Sequence, residues 1–165
     1  MKTVIRKFIS AAALAGVRVP LDKITVRDLG CPHLPTSLPP GKMAVYCFRH
    51  RDRVLKIGKV GPNSGARFLA QHYLPRSSNS NLAKSLLADA DGPCWKMKEE
   101  EIGAWMKHRL HRTDILLESS LGVRVLTLLE SFLQCYYEPT YEGFASQRSR
   151  TLSVLLRRSA QRDAG

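Results

Sequence analysis

The chain reads as a mixed α/β (α+β) domain with a small three-stranded central sheet flanked by helices. Three observations predict it. Residues 43–58 form a β-hairpin pattern, two apolar-rich runs about a polar turn at His50-Arg51-Asp52. The segment T-D-I-L-L-E at 113–118 supplies a third strand. Helical periodicity marks 3–15, 99–110 and a long stretch ending at Tyr137.

In chain order, Val4, Ile5, Phe8, Ile9 and Ala12 recur at helical spacing and define an amphipathic helix over 3–15. Arg6-Lys7 before the apolar run 8–17, with Ala13 and Ala15 as small residues, imitates a secretory signal. That run is short and poor in leucine, so the helix is the preferred reading. A second short segment covers 21–29. Residues 31–41 hold four prolines and one glycine, the composition of an extended connector. A three-residue hairpin loop then sets Val45 opposite Ile57, Cys47 opposite Leu55 and Tyr46 opposite Lys56. In that register Val45, Cys47, Leu55 and Ile57 face the core, while Tyr46 and Lys56 share the solvent-facing side with Arg67.

Gly61-Pro62-Asn63-Ser64-Gly65 is a turn that caps a helix starting near Ala66, carrying Arg67 in its first turn and ending at Pro75. A polar loop over 76–81 leads to a helix at 82–88, broken by Asp91-Gly92-Pro93. The helix at 99–110 opens on three glutamates, which suit its positive end. The last long helix starts at Ser119 or Ser120 and is stopped by Pro139. It is apolar over most of its girth, with one polar stripe of Arg124, Thr127, Ser131 and Gln134. The chain thus divides into a helical extension with a Pro-rich connector (1–41), a central domain (42–142) and a basic tail (143–165).

The formal charge is +12 and the sequence pI is near 10.0, which points to a polyanionic partner. Residues 42–76 concentrate this charge: Lys42, Arg49, Arg51, Arg53, Lys56, Lys59, Arg67 and Arg76 stand against Asp52 alone. Cys31, Cys47, Cys94 and Cys135 are scattered with no C-x-x-C pair, as expected of reduced thiols in a reducing, cytoplasmic compartment. Cys31-Pro32-His33 offers two zinc ligands but no second pair has matching spacing. His108 and His111, at i and i+3, read as solvated helix residues. No apolar run has the length of a membrane span, and no membrane partner is expected.

The order hairpin, helix with an early arginine, helices, strand, long helix with a central glutamate resembles the GIY-YIG nuclease family over residues 43–142. Ala44-Val45-Tyr46 matches the first half-motif and Lys56-Ile57-Gly58 the second. Arg67, then Glu130 in Leu128-Leu129-Glu130, then Pro139-Thr140-Tyr141 follow in the right order. The resemblance implies a divalent-metal-dependent endonuclease acting on DNA, double-stranded by first expectation.

By that resemblance Tyr46 is the general base, and a cation such as Lys56 across the hairpin lowers its pKa. Arg67 offers a planar fork to phosphate oxygens near a helix start. Glu130 ligates one Mg²⁺ (or Mn²⁺) on the leaving-group side. Lys59, Gln71, His72 and Lys84, with Arg157 and Arg158 in the tail, are candidate nucleic-acid contacts. The residues alone leave other readings open: Tyr46 as an ordinary strand tyrosine, Arg67 as a surface residue, Glu130 as half of a buried pair with an arginine.

Four positions depart from the family pattern. Ala44 replaces the first glycine, Lys56 the second tyrosine and Glu142 the closing asparagine. Gln71 stands where a histidine is expected one turn after Arg67, and His72 falls roughly 140° from Arg67 around a regular helix. These changes motivate the alternative of a catalytically inactive GIY-YIG-like module binding DNA or RNA. Substrate selection in either case falls to residues 1–41, the 76–90 region, the tail or homodimerisation.

Overall fold

The computed structural model describes residues 1–62, 64–77 and 82–141, with Ala66 and Arg67 described by backbone alone. Glu142 and the tail, including Arg157 and Arg158, lie outside the described residues. The elements run α1 (Lys2–Leu14), β1 (Ile24–Gly30), β2 (Lys42–His50), β3 (Arg53–Val60), α2 (Gly65–Leu69), α3 (Leu82–Ala88), α4 (Glu99–Arg109), β4 (His111–Glu118) and α5 (Gly122–Tyr137). A 3₁₀ turn at Gln71–Tyr73 follows α2.

The sheet has four antiparallel strands in the order β1-β4-β2-β3, not three. The added strand is β1, inside the segment read only as short structure at 21–29. It is an edge strand with Ile24 alone buried, so its apolar signal is weak. β1 pairs along β4 from Ile24 with Leu117 to Arg27 with Asp114, which ties the N-terminal region into the sheet.

Both faces of the sheet are covered. On one, Met43, Val45, Cys47, Ile57, Ile115 and Leu117 pack against α1 and α5, through Phe8, Leu126, Leu129 and Leu133 among others. On the other, Ala44, Tyr46, Phe48, Leu55, Val60 and Leu116 meet Phe68, Tyr73, Leu86, Ile102 and Met106 from the α2–α4 layer. This explains the unbroken run M-A-V-Y-C-F at 43–48: a central strand buried on both sides has no polar face to alternate with.

The hairpin register differs from expectation in two linked ways. The turn has two residues, with His50 paired to Arg53 and Arg51 in the left-handed region at φ 53°. A bulge then inserts Leu55, so that Phe48 pairs with Lys56, Cys47 with Ile57 and Tyr46 with Gly58. Tyr46 and Lys56 are therefore not cross-strand neighbours. The net slip is two residues at Tyr46, which keeps Val45, Cys47 and Ile57 on the expected core face. Leu55 is turned to the opposite face by the bulge. The face carrying Tyr46, expected in solvent, is buried because the α2–α4 layer has apolar side chains of its own to cover: Tyr46 is 0% and Lys56 5% exposed.

Candidate active site

Tyr46 sits mid-strand with Gly58 of β3 on one side and Asp114 of β4 on the other. Its ring crosses directly over Gly58. A Cβ at position 58 would lie 2.2 Å from the phenolic oxygen and 2.6 Å from Cζ, so only glycine admits the ring there. The tyrosine of A-V-Y and the glycine of K-I-G are thus one steric unit. β3 is an edge strand, so the phenol hydroxyl lies over the outermost strand of the sheet.

His72 reaches this tyrosine by a route that helical spacing does not give. α2 ends at Leu69, six residues before Pro75, and the 3₁₀ turn swings His72 inward to 2% exposure. Its ring centroid stands 4.4 Å from that of Tyr46 and 5.9 Å from that of Phe48. The expected separation of His72 from the site assumed a regular helix to Pro75 and is corrected by this turn. Gln71 instead uses its backbone carbonyl to accept from the Ser77 hydroxyl at 2.6 Å.

The turn is held by a buried charged network that the sequence reading missed. Arg112 of β4 is 1% exposed. Its Nε donates to Asp114 Oδ1 at 2.8 Å, one terminal nitrogen to the Tyr73 hydroxyl at 2.9 Å, and the other to the Phe68 carbonyl at 3.0 Å. The guanidinium also lies 4.6 Å from the Phe68 ring centroid. Asp114 is fully buried, and Arg27 of β1 approaches its second oxygen at 3.6 Å. Burial pushes the Asp114 carboxyl above its usual range, against the pull of Arg112 and Arg27. The available signal was R-x-D at 112–114: two charges at period 2 inside a strand point to the same face.

His33, from the connector, completes the network. Its Nδ1–H donates to the Leu110 carbonyl at 2.7 Å and its Nε2 accepts from the Tyr73 hydroxyl at 2.8 Å. Both ring nitrogens are spent, which removes it as a zinc ligand with Cys31, whose thiol donates to the His108 carbonyl. His111 is not a helix residue; it opens β4, and its Nε2 meets Asp28 at 2.9 Å.

The remaining candidates are arranged as follows. Lys56 donates to the Tyr141 carbonyl at 3.3 Å. Tyr141 donates its hydroxyl to Asp89, and burial with that carboxylate raises its pKa well above the ordinary value. The backbone N–H groups of Thr140 and Tyr141 bond to the Val54 and Leu55 carbonyls, so this segment lies along the β3 edge. Arg67 belongs to α2, beside the turn that carries His72. Lys84 lines a surface pocket of about 670 Å³ with Arg76, Ser77 and Glu99.

Glu130 stands apart from Tyr46. It projects from α5 and pairs with Lys59 Nζ at 2.5 Å, its side chain 15% exposed. Lys59 is the partner of Val45, on the face opposite Tyr46. Tyr46 and Glu130 therefore approach the same edge strand from its two faces, at the adjacent positions 58 and 59. Tyr46 and Lys56 share one face as expected, but it is buried and not solvent-facing, and Glu130 lies on the other. The glutamate is paired, as its apolar helix demands, but with a lysine and not an arginine.

Among the described residues no group of three or more His, Cys, Asp or Glu side chains is gathered for a metal, and no helix is long and apolar enough to cross a membrane. No known protein family, curated protein or solved structure matches this chain.

Proposed function

We propose that this chain is a GIY-YIG-like endonuclease that hydrolyses DNA phosphodiester bonds with a divalent metal. The observation that carries the reading is the Tyr46–Gly58–His72 unit. A phenol lies over the edge strand with an imidazole packed against it, on the connectivity β2-β3-α2-α3-α4-β4-α5 that the motif order implies. An imidazole packed on a phenol is placed to take up its proton, the role His72 would have if Tyr46 works as general base. Glu130 would hold a Mg²⁺ through one carboxylate, with water and substrate phosphate, only by giving up Lys59. Bound there, the metal would neutralise charge developing on the leaving oxygen.

A second reading, the non-catalytic nucleic-acid-binding module, is favoured by the Lys59–Glu130 pair, since a carboxylate satisfied by lysine needs no metal. Glu130→Gln separates the two when single-turnover cleavage and melting temperature are measured on the same protein. For the nuclease, cleavage in Mg²⁺ falls by at least roughly 10²–10³ while DNA binding holds. A wild-type protein that binds DNA without cutting it in Mg²⁺ or Mn²⁺, with Glu130→Gln merely lowering the melting temperature, establishes the binding module instead.

A further inference from the structure

At the end of the sheet remote from Gly58 and Lys59, the β2–β3 turn and the end of α4 bring together arginines and aromatic rings. Arg49, Arg51 and Arg109 are exposed. None of the three has a carboxylate ion-pair partner among the described residues. His50 packs on Trp105 of α4 with ring centroids 5.5 Å apart, and Trp105 lies one helical turn before Arg109. Burial lowers the pKa of His50, and Arg51 and Arg109 add to the effect, which places both cations around this ring. Arg49 alternates to the other face of the sheet, where its strand partner Val54 packs under α1 and α5, so the cluster proper is His50, Arg51, Trp105 and Arg109. The acids here are Asp52 at the turn and Asp28, which is taken up by His111.

We propose that this arginine–aromatic end of the sheet, formed by His50, Arg51, Trp105 and Arg109, is a second nucleic-acid contact that grips a strand flanking the candidate active site. The inference rests on the nuclease or nucleic-acid-binding reading above and adds where the strand goes. Both cations are arginines, whose planar forks match phosphate oxygens bidentately. The neighbouring indole offers a face on which an unstacked base can pack, as single-strand binders use. From Arg53 to Lys59 the strand β3 rises about 20 Å at roughly 3.3 Å per residue. Thr140 and Tyr141 already lie along the β3 edge at Val54 and Leu55, so a strand held at both places passes outside that segment.

The test is fluorescence anisotropy with a labelled 20-nucleotide single strand and its duplex, between 50 and 200 mM salt. The variant Arg51→Ala/Arg109→Ala is expected to bind the single strand at least about tenfold more weakly. Its log–log salt slope should be shallower by about 1.4, at roughly 0.7 per lost phosphate contact. A control variant, Lys2→Ala/Arg6→Ala, removes the same charge from exposed positions elsewhere and is expected to change affinity less than about threefold. In a Trp95→Phe background Trp105 is the sole tryptophan, and its emission should be quenched by the single strand. If the wild type binds nucleic acid but the first variant binds equally well, or the control loses as much, this surface is refuted while the functional reading stands. Polyglutamate that binds the wild type as tightly, with the same loss in the variant, overturns nucleic acid as the occupant. A wild type that binds no nucleic acid overturns both the surface and the reading it rests on.

Discussion

His33 is held neutral by burial, against the pull of its Nδ1–H bond to the Leu110 carbonyl, and its Nε2 accepts from the Tyr73 hydroxyl. Burial is the largest cause of its lowered pKa, about 4, and the charges of Arg112, His111 and Lys107 press the same way. The unfolded chain regains the ordinary value of 6.5, so between these values the unfolded state binds more protons. Stability from this group is therefore full above about pH 6.5 and is lost as pH falls towards 4, at about 1.4 kcal/mol per pH unit, or roughly 3 kcal/mol in all. Asp114, with its pKa raised above the ordinary carboxyl value, works in the opposite sense as pH falls, so slopes and not absolute melts carry the comparison. The expected outcome is that His33→Asn starts less stable at pH 7 but shows a flatter decline in urea-unfolding free energy from pH 7 to pH 4.5. Parallel slopes in the two proteins would refute the assignment.

At the scale of elements, Arg112 decides where α2 stops. In a continuing helix the Phe68 carbonyl would accept from the His72 N–H; here it accepts from Arg112, 44 residues away, and the chain turns into the 3₁₀ segment. Arg112→Met leaves Asp114 buried with Arg27 only at 3.6 Å, and is expected to cost about 3–5 kcal/mol, a fall in melting temperature on the order of 10 °C. Arg112→Met/Asp114→Leu removes both charges and should melt higher than the single variant; a lower melting point would show that packing around Arg112 outweighs its charge. The same contact marks what the sequence could and could not reveal. Helices α1, α4 and α5 and the hairpin were legible because each carries its own periodicity or turn chemistry. The end of α2, and with it the approach of His72 to Tyr46, was not, because it depends on a partner distant in sequence. Leu55 was unreadable for a related reason: V-L-K-I alternates acceptably in either register, and the bulge is chosen by which face has room. Gly58 and Tyr46 were visible as motif residues, but the collision that couples them appears only once the ring is placed.

Across the whole molecule, residues 1–41 are part of the fold and not an appended extension. Val4, Ile5, Phe8, Ala12, Val19 and Ile24 are six of the sixteen buried residues in the cluster under α1 and α5, and β1 supplies a sheet edge. Fully burying a large aliphatic or aromatic side chain stabilises by about 1.5–3 kcal/mol, so this set contributes on the order of 10 kcal/mol. That is as much as the net stability of an ordinary domain, roughly 5–15 kcal/mol. Without these residues the cluster loses its α1 side, leaving apolar surface of α5 open to water, and β4 would present an unpaired edge. The chain starting at residue 42 is therefore expected to be insoluble or to lack a cooperative melt, even though it retains Tyr46, Gly58, His72 and Glu130. Phe8→Ala tests the same packing without truncation. The ring is fully buried with its centroid 5.7 Å from that of Phe132, and its loss should lower unfolding free energy by about 3–5 kcal/mol. A soluble, cooperatively melting 42–165 fragment would return the N-terminal region to the status of a dispensable extension. The sheet would then have to stand on α5 and the α2–α4 layer alone.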